Sequence, residues 1–174
     1  MNDISEFRVQ TSDFQTRQQI VESRITQGSH GMTSAEIRAF CERFAKAWER
    51  SDVAALSACY AEDCEVVSPI FHTLRGRAEV ETSFRDLFQA FSDYSIRVND
   101  MIIDSDGGGR AALVWMAQST HRGPIFGMPA SGRRIESQVA FIMTLKDGRI
   151  ASERRIYDFT GRLIQMGVLK AKTA

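Results

Sequence analysis

The second half of this chain alternates long, apolar-patterned segments with glycine-containing turns, and this pattern constrains the fold most. The segments are residues 94–104, 110–121, 134–146 and 149–159. Two connections, DGGG at 106–109 and KDGR at 146–149, supply the positive φ angles that tight hairpins need. The third connection, residues 120–133, is a longer loop with glycines and prolines, and a lone carboxylate, Asp158, lies at the end of the last segment. The sequence therefore predicts a meander of four strands.

Helices are predicted in the first half of the chain. Thr33 and Glu36 form a capping box ahead of apolar residues at helical spacing, and Asp52 is placed to cap a short second helix. Gly76 precedes a third helix, and residues 64–68 predict a strand that stops at the next proline. The predicted fold class is α+β, a cone-shaped, curved antiparallel or mixed sheet with three helices from the N-terminal half packed on its concave face.

The length of 174 residues suits about one domain. Residues 1–31 differ in composition from the rest and predict an N-terminal extension, either an amphipathic helix that docks on the domain or a loosely ordered tail. Residues 32–174 are predicted to form a single domain.

Charge and cysteine content exclude several classes of protein. Lys plus Arg and Asp plus Glu each total 22, so no basic field attracts nucleic acid. No stretch approaches the ~20 apolar residues of a membrane span, and the N-terminus lacks the apolar core of a secretion signal. We therefore expect a cytoplasmic protein that binds neither nucleic acid nor membranes. The three cysteines have no zinc-ligand spacing, and we expect reduced thiols and no metal.

Both faces of the strand predicted over residues 110–121 are apolar. One face is expected to meet the helices and the other a second subunit, which predicts a homodimer through the sheet. Glu136 and Gln138 lie on the less apolar face of the next strand, where they either contribute to the dimer surface or reach a ligand.

Several motifs occur in a fixed order along residues 33–170. They are AWERSD at 47–52, LRGR at 74–77, THRG at 120–123, FGMPASGR at 126–133, KDGRI at 146–150, and Asp158 followed by LIQMG at 163–167. In this order the chain resembles the SnoaL-like polyketide cyclase family, within the nuclear transport factor two-like superfamily of cone-shaped α+β barrels. The resemblance implies an intramolecular aldol-type ring closure without a cofactor, in which Asp158 is the acid/base.

The chain departs from the family pattern at Glu153 and Arg154, where an aromatic residue is usual at the second position. Arg154 lies four residues before Asp158 and has the same strand parity. If both side chains point to one face, Arg154 either holds Asp158 ionised or anchors an anionic substrate.

The two catalytic candidates each have a structural alternative. Asp158 is expected either at the floor of an apolar pocket, where it exchanges a proton with substrate, or as the cap of a helix that begins near Thr160. His121 either donates to a developing enolate or bonds the backbone of its own loop. A further set of residues is better explained as core and cavity wall than as a cofactor site, and favours a hydrophobic ligand. These substrate-binding candidates are Trp48, Phe71, Phe88, Phe126, Met128 and Met143, besides Arg154 and Gln138. Tyr60 is a weaker candidate.

Three functions stay open on this sequence. The first is a cofactor-independent cyclase or isomerase of a hydrophobic small molecule. The second is epoxide opening with Glu153, Arg154 and Asp158, although Glu153 has the opposite strand parity. The third is a non-catalytic binding or dimerisation module whose cone is filled with side chains. An open pocket that contains Asp158 would favour an enzyme.

Overall fold

The computed structural model describes residues 31–105 and 109–170. The predicted extension, apart from Gly31, and most of the turn at 106–109 lie outside the described residues. Four helices and six strands occur in the described part. They are α1 Ser34–Glu49, α2 Val53–Ala58, β1 Tyr60–Ser68, β2 His72–Arg75, α3 Arg77–Ala90, β3 Ser95–Asp104, β4 Arg110–Thr120, β5 Arg134–Lys146, β6 Arg149–Tyr157 and α4 Phe159–Met166.

The predicted helix starts are confirmed by their caps. The Thr33 hydroxyl accepts from the Glu36 backbone N–H while the Glu36 carboxylate accepts from the Thr33 backbone N–H. Asp52 accepts from the Ala55 backbone N–H at 3.0 Å, and α3 begins after Gly76, whose φ is 79°. Strand β2 and helix α4 are additions to the predicted fold; a helix near Thr160 was considered only as the alternative role of Asp158.

The six strands form one curved sheet in the order β2-β1-β6-β5-β4-β3. The β1–β6 pair is parallel, and the other four neighbouring pairs are antiparallel. Helix α1 contacts β3 and β4, α3 contacts β1 and β2, and α4 contacts β5. The predicted α+β cone with helices on its concave face is confirmed.

A bulge in β6 decides which side chains of that strand enter the cone. Thr144 of β5 pairs with Ser152, but Leu145 pairs with Ile150, so Ala151 is the extra residue. Ile150 is fully buried before the bulge, and after it the buried positions are Glu153 and Arg155, whereas Arg154 and Ile156 are exposed. The bulge therefore turns charged residues into the interior and an isoleucine out of it.

Aromatic rings fill much of the interior around Trp48. The Trp48 ring lies 5.2–5.7 Å from five others, and the indole itself is 1% exposed. These five are Phe84, Phe88, Tyr94, Trp115 and Phe141. Contacts at this spacing hold the helices on the inner face of the sheet. None of the helices in the described part is both long and apolar enough to cross a membrane.

Candidate functional site

Three polar side chains meet inside the cone. The Tyr60 hydroxyl, at the start of β1, donates to Oε2 of Glu153 at 2.6 Å, and Arg155 donates from Nε to Oε1 of the same carboxylate. Arg155 Nη2 also donates to the Tyr60 oxygen at 3.3 Å. The three residues are 0%, 3% and 5% exposed, in the order Tyr60, Glu153, Arg155. Glu153 is the only buried carboxylate in the described part of the chain.

The protonation of this triad follows from its surroundings. Burial, and then the charge of Glu153, raise the pKa of Tyr60 well above its ordinary range, so its hydroxyl stays a donor at neutral pH. Burial opposes the charge of Arg155, but the attraction of Glu153 and Tyr60 more than offsets it, and the pKa of the guanidinium is raised. The triad is thus an ion pair with a neutral phenol beside it.

The triad is enclosed by rings rather than water. The guanidinium carbon of Arg155 lies 5.2 Å from the Phe84 ring centroid and 5.1 Å from that of Phe141. The Phe44 ring lies 6.1 Å from that of Tyr60. Cation–π contacts stabilise the guanidinium, and exclusion of water strengthens every electrostatic interaction within the site.

This site was not predicted from the sequence because Asp158, which is exposed, was expected to face the interior. Glu153 was assigned to the face opposite the site, Tyr60 was a weak candidate, and Arg155 was not considered. Alternation holds over residues 153–157, after the bulge at Ala151. Taking Asp158 as an interior residue therefore assigned Arg154 to the inner face and Glu153 to the outer one. The signal that was present is the pair of opposite charges at alternate positions, Glu153 and Arg155, in an otherwise half-apolar strand.

Asp158 does not lie at the floor of an apolar cavity. Its side chain is exposed, and its Oδ1 accepts from the Gly161 backbone N–H at 2.7 Å, which caps α4. The expected buried position is wrong because β6 ends at Tyr157 and the next residue turns outward to start the helix. The geometry matches the capping alternative.

His121 is buried rather than placed at an open mouth. It is 0% exposed, its Nδ1 accepts from the Ser131 backbone N–H at 3.3 Å and lies 3.1 Å from the Ser131 hydroxyl, and its ring packs 5.3 Å from Phe91. Because Nδ1 is an acceptor here, Nε2 carries the ring N–H, and it has no partner among the described residues. The contacts are those of a histidine that fixes its own loop.

Arg154 and Gln138 lie outside the cone. Both are exposed, and Arg154 pairs across the sheet with Ile142, in the outward row of β5. The expectation that Arg154 shares a face with an interior site is wrong. After the bulge, the inner positions of β6 are those of its two neighbours, Glu153 and Arg155.

The family model of SnoaL-like polyketide cyclases matches residues 38–166. This chain belongs to that family. The range includes every member of the triad, so the family match and the interior site refer to the same part of the molecule. A search of curated proteins finds no significant match.

Solved structures share the fold of this SnoaL-like protein. TsrD from Streptomyces laurentii has 25% identity and a TM-score of 0.68, covering 79% of this chain and 99% of its own. AclR from Streptomyces galilaeus, provisionally named a hydroxylase, has 21% identity and a TM-score of 0.70, covering 81% and 87%. A Catenulispora acidiphila protein with a ketosteroid isomerase-like fold, in complex with trimethylamine, has 15% identity and a TM-score of 0.63, covering 78% and 97%.

The apolar candidates of the SnoaL-like domain divide between its core and its surface. Trp48 and Met143 are buried in the core, and Phe88 is half-buried beside Trp48 at 5.5 Å. Phe71 and Phe126 lie on two surface loops and pack edge to face at 5.1 Å, with Phe126 51% exposed. Met128 is half-buried and pairs with Ile125 in the same loop as Phe126.

Four grooves of about 390, 380, 360 and 180 Å³ lie in the described part of the chain. Neither Tyr60, Arg155 nor Trp48 lines any of the four. Glu153 borders the largest groove through its main chain, because its side chain is 0% exposed. The rings of Phe44, Phe84 and Phe141 pack against Tyr60 and Arg155 instead.

The three cysteines are free, as expected, and are not nucleophile candidates. Burial raises the pKa of the Cys41 and Cys59 thiols to about 11 in each case, so both are protonated at neutral pH.

Substitutions at Asp158 separate capping from catalysis. Asparagine is as good an N-cap as aspartate, so Asp158→Asn should leave the free energy of unfolding unchanged, whereas Asp158→Ala should lower it by about 0.5–2 kcal/mol. Asp52→Ala is the matched control, since Asp52 caps α2 with the same type of bond. Urea unfolding measures all three. Equal stability of Asp158→Ala and the unchanged protein would contradict the capping role.

Proposed function

We propose that this SnoaL-like protein is a cofactor-independent enzyme that moves a proton at a carbon next to a carbonyl group. The substrate is a hydrophobic, polyketide-like small molecule, and the outcome is aldol-type ring closure or isomerisation. The observation that carries the proposal is the Tyr60–Glu153–Arg155 triad, an ion pair with a phenol donor within an aromatic interior. The description of its family, and the isomerase-like fold of one neighbour, support the same class of chemistry.

A buried ion pair is a poor stabiliser, which favours a functional role for this one. Removing two charges from water costs several kcal/mol per ion, and apolar replacements are often neutral or stabilising. A charged, water-excluded constellation is also where acid/base groups occur in enzymes. Retention of Glu153 and Arg155 among Phe84 and Phe141 is therefore better explained by chemistry than by packing.

The triad supplies each role that enolisation needs. When a substrate carbonyl oxygen replaces Glu153 as the acceptor of the Tyr60 hydroxyl, the carboxylate is free to take the neighbouring C–H proton. The C–H electron pair forms the C=C bond, the π pair of the carbonyl moves to its oxygen, and the enolate is held by the Tyr60 O–H and the Arg155 guanidinium. Isomerisation follows if the proton returns at another carbon. Ring closure follows if the enolate carbon attacks a second carbonyl of the same molecule, whose oxygen then takes the proton.

Binding requires the aromatic cluster to rearrange. Of the five rings around Trp48, Phe88 is the one that is partly exposed to solvent. A change of its rotamer would open the interior from the α3 side with the least loss of buried surface. The ligand is then held mainly by apolar and ring contacts, which select its shape and orientation.

Epoxide opening by paired carboxylates is less favoured. That mechanism needs a second acid beside Glu153, and no other carboxylate is buried in residues 31–105 or 109–170. Arg154 and Asp158, the other expected members, are both exposed.

A second candidate function is the non-catalytic module. The rings in mutual contact around Trp48 favour it, because a filled cone needs no substrate and still provides a rigid sheet for association. The proposed enzyme would accelerate exchange of carbon-bound hydrogen in a small ketone, whereas a non-catalytic module would not. This difference is measurable.

Exchange of carbon-bound hydrogen tests the proposed enzyme. With 2-tetralone, a bicyclic ketone, as the probe in D₂O, the protein should accelerate deuterium uptake next to the carbonyl above buffer, as followed by proton NMR. Glu153→Gln should reduce that acceleration about 10²–10⁴-fold, since the proton acceptor is lost. Tyr60→Phe, which leaves the ion pair intact, should also reduce it, because the enolate loses a donor.

Asp158→Asn and Arg154→Gln are the matched controls, since both residues are exposed, and each should stay within a few-fold of the unchanged protein. Near-UV circular dichroism confirms that each variant is folded. An unchanged protein that does not accelerate exchange would favour the module, and a large loss in Asp158→Asn alone would return the acid/base role to Asp158.

We also propose that two copies associate through the outer face of the sheet. A row of side chains crosses that face in register, Val67 beside Arg154, then Ile142, Ala112 and Ile102. Ile102 is 57% exposed, and Val67 and Ile142 are 40% and 37% exposed. Apart from Arg154 on β6, the row is apolar, with one side chain from each of four strands. A second copy in a two-fold arrangement presents the same row and would cover these side chains.

Light scattering after size-exclusion chromatography tests this association. We expect the unchanged protein to have twice the mass of one chain at micromolar concentration, and Ile142→Glu to have the mass of one chain, because a buried carboxylate opposes the contact. Ile164→Glu is the control, since Ile164 is similarly exposed at 36% but lies on α4. A monomeric unchanged protein, or a dimer unaffected by Ile142→Glu, would rule out this surface.

A further inference from the structure

Arg162 is a buried cation without an acidic partner among residues 31–105 and 109–170. It belongs to α4 and is 8% exposed. Five ion pairs link side chains of the described residues, and none of them includes Arg162. Asp158, the acid on the same helix, directs its carboxylate to the Gly161 backbone N–H instead. The guanidinium charge is thus mostly buried, and no carboxylate among the described residues balances it, which is costly.

Neutral groups hold the guanidinium in place. Its Nε donates to the Ser137 hydroxyl at 2.6 Å, and its central carbon lies 4.3 Å from the Tyr157 ring centroid. Burial raises the pKa of the Tyr94 hydroxyl, and the nearby charge of Arg162 acts against this rise. Tyr94 is 8% exposed. The Tyr157 hydroxyl in turn lies 3.3 Å from that of Ser68. The Ser137 hydroxyl, the ring face of Tyr157 and the nearby Tyr94 phenol therefore surround one positive charge.

This cluster continues the polar stripe of the triad. Ser137 occupies the same side of β5 as the buried Val139, and Val139 pairs with Tyr157 across β5 and β6. Tyr157 follows Glu153 and Arg155 at alternate positions of β6, on the inner side of the sheet. Tyr94 feels the charges of both Arg155 and Arg162. The two groups of polar residues hence line one face of the interior, with the triad towards the start of β6 and Arg162 at its end.

The buried charges do not balance. The buried charged residues of the described chain are Glu153, Arg155 and Arg162, which makes one negative and two positive groups. Glu153 is fully engaged with Arg155 and Tyr60. An excess of one positive charge in an apolar enclosure favours an anionic ligand, and a guanidinium already fixed by packing loses little entropy on binding a carboxylate.

We propose that Arg162, with Tyr94, Tyr157 and Ser137, binds an anionic oxygen group of the small molecule, a carboxylate or a stabilised enolate. This inference rests on the proposed function in one respect, that the interior admits a small molecule. It assigns the substrate class: a hydrophobic molecule with an acidic group at one end and a reactive carbonyl towards Tyr60. Arg162 is then a binding residue, and the proton transfer stays with the triad.

A matched pair of probes tests the site. 2-Naphthoate and 2-naphthamide share one ring system and differ in charge, and titration calorimetry measures their dissociation constants. We expect the unchanged protein to bind the carboxylate at least about tenfold more tightly than the amide. Arg162→Gln should weaken binding of the carboxylate about 10–100-fold, the range for a hydrogen bond to a charged group, and leave binding of the amide unchanged.

Two further variants complete the design. Arg162→Lys keeps the charge and most of the packing but loses the planar fork, so it should retain a reduced preference for the carboxylate. Arg154→Gln removes an exposed arginine from the outer face and should change neither constant. Equal affinities of the unchanged protein for acid and amide would overturn the anion site while leaving a small-molecule interior intact.

Binding of inorganic phosphate tests whether the site takes an anionic group of a substrate or any small free anion. If phosphate alone bound as tightly as 2-naphthoate, and lost its affinity in Arg162→Gln, the assignment to a substrate group would be wrong. Failure of both naphthalene probes to bind would also overturn the inference. The proposed proton transfer is judged separately, because deuterium uptake by 2-tetralone involves a neutral probe and Glu153 rather than Arg162.

Discussion

The ion pair between Glu153 and Arg155 is the interaction on which the interior of this protein depends. Its two charges lie among aromatic rings, with Tyr60 as the third member, and each polar group of the carboxylate is satisfied by a donor. The rings around the pair have to be placed so that the carboxylate and the guanidinium keep these partners. The positions of Phe84 and Phe141 therefore follow from the charges as much as from apolar packing.

The bulge at Ala151 is what brings that ion pair inside. Without it, strict alternation from the buried Ile150 would place Arg154 and Ile156 in the interior, and Glu153 would face solvent. The one inserted residue, Ala151, therefore places the Glu153 carboxylate in the core and leaves Ile156 exposed. Bulges of this kind are found near active sites, where they re-aim side chains, and the polar stripe from Glu153 to Tyr157 begins directly after this one.

Local signals in the sequence were sufficient for the fold. The capping box at Thr33, the Asp52 cap and the order of the strand segments confirm helices followed by a meander, because caps and turns depend on a few neighbouring residues. Strand faces depend on pairing between distant segments, and the shift between Thr144 and Leu145 leaves no local mark. The family could therefore be predicted from the sequence, whereas the interior triad of Tyr60, Glu153 and Arg155 could not.

Asp158 and Arg162 illustrate the same limit within one helix. A carboxylate ahead of a helical segment was open to two interpretations, and the bond to Gly161 matches the capping one. Residues 159–166 have the pattern of an ordinary amphipathic helix. Arg162 is buried because α4 packs on β5, where Arg162 bonds Ser137. Charges that look solvated in the sequence become interior groups through tertiary packing.

The most direct measurement is the free energy of unfolding of the protein in which the triad is replaced by apolar residues, Tyr60→Phe with Glu153→Met and Arg155→Met. If the ion pair serves chemistry rather than stability, this triple variant should be as stable as the unchanged protein or more so, while Glu153→Gln alone loses about 3–5 kcal/mol by leaving Arg155 uncompensated. A triple variant that loses as much stability as the single one would contradict the central claim.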